Sequence, residues 1–283
     1  MMNLWTVASI VMLAIIFWLN ATIIATPYIA KLSGQATPLM NKKAGVITIL
    51  LLSASLMYFM FIVGDLADAG LSGMFDPMYM EFIQTGPIGQ FVLLQIGAAV
   101  LWLVVAVVGL PPIRVLAYMG AAALMSWSFL GMGHSADAAW WAKLAFLIHL
   151  LAAWLWFGSL HGLRHLATSV PPAKARRIME TFGSHMSIAV PALIIAGMLM
   201  YRSATGQWIP ALPFNSYTFV LAAKLLLVGL ILVMAAIHKF KLVPQLDGAL
   251  AAHRLKQSIT VEMLLAVLII MLAMTLSSGL SPR

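Results

Sequence analysis

Eight continuous apolar runs, at roughly residues 4–26, 44–64, 88–110, 113–132, 141–163, 183–202, 217–238 and 258–278, leave one class of fold open to this 283-residue chain. Each approaches the length of about 20 residues that crosses a bilayer core as a helix. Lipid offers no partner to backbone N–H and C=O groups, so a spanning segment is either a helix or part of a closed barrel. Barrel strands alternate apolar and polar positions over about 10 residues, and these runs do not alternate. Charged residues are only 8% of the chain, against about 25% in a soluble domain. The expectation is an all-α integral membrane protein with eight transmembrane helices in a single polytopic domain, 1–283. The first four helices occupy 1–132 and the last four 133–283. The first run does not read as a cleaved leader: it lacks a basic start, and Asn20, Pro27 and Tyr28 replace a small-residue cleavage site.

Lysine and arginine orient the bundle. Loops after the odd-numbered runs carry Lys31, Lys42, Lys43, Arg114, Arg164, Lys174, Arg176, Arg177, Lys239, Lys241, Arg254 and Lys256, leaving only Lys143, Arg202, Lys224 and Arg283 elsewhere. By the positive-inside rule this puts both termini on the outer, periplasmic side. The net charge of +8 therefore reflects topology and contact with anionic membrane lipid, and nucleic acid is not an expected partner. The outer loop 65–87 is the reverse case. It holds Asp65, Asp68, Asp76 and Glu81 without a basic residue, together with Met74, Met78 and Met80. Carboxylates there attract cations, and thioethers are soft ligands.

Ionisable groups inside a span cost about 2.5–3.5 kcal/mol at the centre, so they mark candidate sites. Lys224 lies about 10 Å below the outer end of the seventh run at ~1.5 Å per residue. Glu262 enters the eighth run from the inner end, too far from Lys224 in depth for direct pairing. His238, at the inner end of the seventh run, has the better depth to meet it. These three are candidates for gating or proton relay. His134 sits in the outer loop beside Met132, and His149 lies about 12 Å deep in the fifth run. His161, His165, His185, His238 and His253 gather near the inner face. The chain has no Cys and 20 Met, so soft coordination falls to thioether and imidazole, which suit Cu(I) and, through His, Cu(II). His134, His149, Met132, Met74, Met78 and Met80 are the candidate copper ligands.

Other chemistries leave little trace. There is no phosphate-binding glycine loop, no HExxH and no GxSxG, and the few carboxylates suggest no hydrolase pair. The chain is not expected to be an enzyme. Histidines on facing helices also allow haem b, bound for electron transfer, as an alternative to copper.

The segment His149-Leu150-Leu151-Ala152-Ala153-Trp154-Leu155-Trp156-Phe157-Gly158-Ser159-Leu160 holds a His, small residues and then Trp-x-Gly. Phe182, Gly197, Tyr217, Lys224, Pro244, Ser258 and Glu262 follow in order. In these features residues 134–282 resemble the copper resistance protein D family. Ser159 replaces a second Gly, His238 stands where Asn is expected, and Thr218 where Gly is usual. The resemblance implies a multi-pass protein of the bacterial inner membrane that moves copper between periplasm and cytoplasm. It also implies a small periplasmic copper-binding protein as partner, with a copper-delivery or assembly factor that does not itself transport as the alternative. The first four helices share only hydropathy and topology with that family.

Overall fold

The computed structural model describes residues 3–34, 44–108, 110–131, 138–209 and 215–278. Among the described residues, eight long helices are apolar enough to cross a membrane. They are α1 (Leu4–Ser33), α2 (Ala44–Ala67), α4 (Pro87–Val107), α5 (Pro111–Leu130), α6 (Trp140–Ser169), α7 (Pro172–Thr205), α8 (Ser216–Ile237) and α9 (Ala249–Ser278). A short helix, α3 (Pro77–Gln84), and a 3-10 turn (Gly70–Phe75) fill the connection from α2 to α4. The expected helical membrane class is observed. Lys31, Arg114, Lys174 and Lys239 all fall near the helix ends that meet at one side of the bundle, its basic end.

Several helices overrun the apolar runs at that end. α7 begins at Pro172, eleven residues before the run at 183–202. Proline at the first helical turn gives up no hydrogen bond that the helix would make there. Arg176 and Glu180 pair across one turn at 2.8 Å, and Ala175, Ile178, Met179, Phe182 and Met186 form one buried stripe at the spacing of a helical face. Averaged hydropathy hides such a stripe because the opposite face is charged. Lys174, Arg176, Arg177, Arg254 and Lys256, expected in loops, therefore stand on helices.

The core is organised around α1, which packs against α2, α6, α7 and α9. Its closest approach is to α6. A β-carbon placed on Gly158 would lie 1.9 Å from the carbonyl oxygen of Ala21, and one on Gly162 would lie 2.9 Å from Ile29 Cγ2. Only hydrogen fits at Gly158, so the Trp-x-Gly element sits where two backbones touch. Small residues allow this kind of contact in membranes, where apolar burial gives little drive between helices. Around it Phe17, Phe91, Phe129 and Trp154 interlock through edge-to-face and tilted contacts of 5.3–6.2 Å between ring centres. A polar thread crosses the same layer. Asn20 Nδ2 donates to Gln95 Oε1 at 3.2 Å, and Gln95 Nε2 donates to Ser128 Oγ at 2.8 Å. This joins α1, α4 and α5.

Packing is uneven across the bundle. Of the most apolar stretch, 56% of residues are buried in α1 but only 6% in α8. α8 rests mainly on α9 and leaves a cleft between itself and α7. The acidic connection between α2 and α4 is also built, not open. Asp76 caps α3, its Oδ1 accepting from the backbone N–H of Met78 and Tyr79. Met74 is buried with Phe59, Met60, Val63 and Ile83.

Gly158→Ala should lower stability by about 1–3 kcal/mol, the usual cost of forcing a methyl group into a packed contact. Gly45→Ala, where a β-carbon meets nothing within 4 Å, should change it by no more than about 1 kcal/mol. Denaturant unfolding in detergent micelles measures both.

Candidate functional site

Glu262 is the most buried charged side chain among the described residues, 2% exposed. It lies on α9, and α6 and the end of α8 converge on it. Trp156 Nε1–H, from α6, donates to its Oε1 at 2.9 Å. His238 Nδ1, at the end of α8, lies 3.0 Å from its Oε2. The other imidazole nitrogen, Nε2, is 2.7 Å from Ser258 Oγ, one turn before Glu262 on α9. With Nδ1–H donating to the carboxylate, a neutral imidazole accepts the serine hydroxyl at Nε2, and an imidazolium donates to it. The arrangement is a continuous chain of groups that can exchange protons: carboxylate, imidazole, hydroxyl.

Local backbone places His238. It opens a π turn, His238–Leu242, closed by Val243 N–H donating to His238 O at 2.9 Å. A π turn adds a residue to the helix and changes the facing of the side chains around it, a feature common at functional sites. Beside the chain of polar groups lies the cleft between α7 and α8, a cavity of about 250 Å³ with mostly apolar walls that include Met179, Phe182, Met186 and Leu232. Glu262 and Trp156 form its floor, and Lys239, whose ammonium donates to Ser187 Oγ, stands at its rim.

A second polar centre lies about 10 Å further along α6, two turns from Trp156. His149 Nδ1–H donates to the backbone carbonyl of Leu193 on α7 at 2.9 Å. That carbonyl fixes the tautomer and leaves Nε2 as the nitrogen with the lone pair, the arrangement that metal-binding imidazoles commonly show. Gly197 makes the room: a β-carbon there would lie 3.2 Å from His149 Cε1 and 3.3 Å from Nδ1. Lys224 on α8 is within electrostatic range of this imidazole.

The sequence candidates thus separate. His238 and Glu262 meet, as their depths predict. Lys224 is instead within electrostatic range of His149, and the ion pairs among the described residues are Arg176–Glu180 and His238–Glu262, not Lys224–Glu262. Met74 is buried in a hydrophobic cluster, Met80 is half-buried against it, and Met78 is exposed. His134 and Met132 lie outside the described residues. Among the described residues no group of three or more His, Asp or Glu side chains forms a metal centre. Sequence reasoning did not assign roles to Trp156 and Ser258 in the buried centre. The Trp-x-Gly element and the spacing of Ser258 to Glu262, one helical turn, carried that signal.

This is an eight-span helical membrane protein with a buried acid–imidazole centre shared by its sixth, eighth and ninth helices. Residues 176–276 match the family model of Copper resistance protein D, and over α7, α8 and α9 the chain is CopD-like. The α6 segment that carries His149, Trp156 and Gly158 precedes the matched residues. A Copper resistance protein D of Pseudomonas syringae pv. tomato is 25% identical over 179 residues, covering 58% of this chain. The aligned stretch spans 56% of that relative's own length, little more than half. No solved structure matches the chain.

Glu262→Ala strands the Trp156 N–H and the His238 imidazole in an apolar layer and should cost about 3–5 kcal/mol, the penalty for breaking a buried charged pair from one side. Glu262→Gln keeps an acceptor for Trp156 and should lose clearly less. Unfolding curves of the two purified variants, compared with the wild-type protein, measure the difference.

Proposed function

We propose that this protein moves copper ions across the bacterial inner membrane, with its basic end in the cytoplasm and both termini in the periplasm. One observation carries the reading. The stretch that matches Copper resistance protein D, 176–276, supplies the carbonyl and the glycine that seat His149, and also His238, Ser258 and Glu262. The family-like residues are thus the ones that keep ionisable groups in the apolar layer.

Copper is the cargo. His149 presents an imidazole Nε2 lone pair within the bundle and acts as an intramembrane stopping point, together with His134 and Met132 from the outer loop. A lone imidazole supported by few other ligands binds loosely, and a conducting site must release what it binds. Met74, Met78 and Met80 serve collection at the outer face, where Met78 is the accessible thioether. Closer to the cytoplasm, Glu262, His238 and Ser258 relay a proton that balances the charge of the moving cation. Lys224, near His149, opposes a second cation there and so limits occupancy. The function is transport, without a catalysed reaction, and the natural donor is a small periplasmic copper-binding protein.

Cells that express the protein should accumulate more copper than a deletion strain when grown in added copper, as read by elemental analysis of washed cells. His149→Ala should return accumulation to near the deletion value while the protein still reaches the membrane at its normal level. Equal copper content with and without the protein overturns the proposal. The purified protein should bind copper and show no haem Soret band.

A further inference from the structure

The cleft between α7 and α8 has a property that ion movement does not call for: it opens toward the bilayer. Ser187 and Pro191 on α7 and Ala236 on α8 line it and are themselves exposed, so its mouth lies on the lipid-facing side of the bundle. The flanking surface is strongly apolar, with Ile188, Val233 and Phe240 exposed by 77%, 58% and 76%. A ligand that enters here comes from the membrane.

The interior narrows the choice of ligand. The walls are apolar, but the Glu262 carboxylate at the floor keeps lone pairs beyond those that Trp156 and His238 use, and the Lys239 ammonium at the rim keeps N–H groups beyond the one given to Ser187. A volume of about 250 Å³ falls just below the range of about 300–1,000 Å³ usual for whole small-molecule ligands. It suits a compact head group whose tail stays in lipid. A phosphate or fatty-acid head would bring negative charge against Glu262, which is buried beside it. A neutral ring with oxygen atoms on opposite edges has no such conflict. One oxygen accepts from Lys239 near the rim, and the other, as a hydroxyl, donates to Glu262 at the floor.

We propose that this cleft is a binding site for the head group of an isoprenoid quinone or quinol. The Glu262 carboxylate accepts a hydrogen bond from the quinol hydroxyl, and the Lys239 ammonium donates to the oxygen at the rim. Met179, Phe182 and Leu232 contact the ring and the start of the tail. The site does not depend on copper, and the proposal stands or falls apart from the transport reading.

The test uses the full-length protein in copper-free phospholipid nanodiscs. Bound decylubiquinol, kept reduced under argon, is separated from free ligand and measured by chromatography, against empty nanodiscs. The expected result is saturable binding of one quinol per chain. Ala236→Phe, which fills the mouth without touching the polar pair, should abolish it with the unfolding midpoint unchanged. Glu262→Gln should weaken it by about tenfold, the loss of one hydrogen bond to a charged group. No binding above that of empty nanodiscs overturns the proposal. So does binding that neither variant alters, and so does an anionic phospholipid that survives purification in the cleft and is not displaced by the quinol.

Discussion

A carboxylate in a hydrocarbon layer holds its place only if other parts of the protein satisfy it, and Glu262 is satisfied by two other helices. Trp156 donates from α6, and His238 closes from the end of α8. Neither neighbour reaches Glu262 by sequence proximity, so the contact fixes three helices relative to one another. Water would weaken such a tie, and lipid does not compete for it. The position of α8 depends on this tie in particular, because its own apolar packing is slight. The cleft, the rim lysine and the π turn all take their positions from where α8 is held.

The glycine contact between α1 and α6 supplies the fixed side of that arrangement. Gly158 lets α6 press onto the Ala21 carbonyl, and two residues earlier Trp156 turns its indole toward α9. One short segment thus meets the central helix with one face and the buried acid with another. A shift of α6 on α1 would carry both the indole donor and, two turns away, His149. The two polar centres are therefore coupled mechanically through a single rigid helix, although no hydrogen bond joins them.

Much of this was legible in the sequence. The eight spans follow from apolar length alone, and the meeting of His238 with Glu262 follows from their similar depth in consecutive helices. The small residues of the fifth span, Gly158 and Gly162 among them, stand where a neighbouring helix comes close. Other features left no simple signal. The start of α7 at Pro172 was masked because its apolar stripe alternates with arginines, so window-averaged hydropathy falls below that of a span while the helical period persists. The acids of loop 65–87 looked like free charge, yet Asp76 is taken up by a helix cap, a role that its position before Pro77 suggests once a helix is known to follow. Met74 counts as a soft ligand by composition and as a buried side chain by position, and residue type cannot choose between them. The partner of Lys224 depends on how α8 rotates on α9, which the apolar pattern of α8 leaves open because nearly every position in it is hydrophobic.

The family resemblance falls on the part of the bundle that packing holds least. α1 and its neighbours gain their order from many apolar contacts, in which single substitutions of similar volume are tolerated. α7, α8 and α9 instead rely on particular polar groups: the Leu193 carbonyl with His149, Ser258 with His238, and Glu262 with Trp156. Such groups cannot be exchanged for isosteric apolar ones without leaving a partner unsatisfied. A chain can therefore drift far in the first four helices and still keep the same centre, provided that α6 retains its glycine against α1. The family model matches residues 176–276, the helices on which these particular polar groups are concentrated.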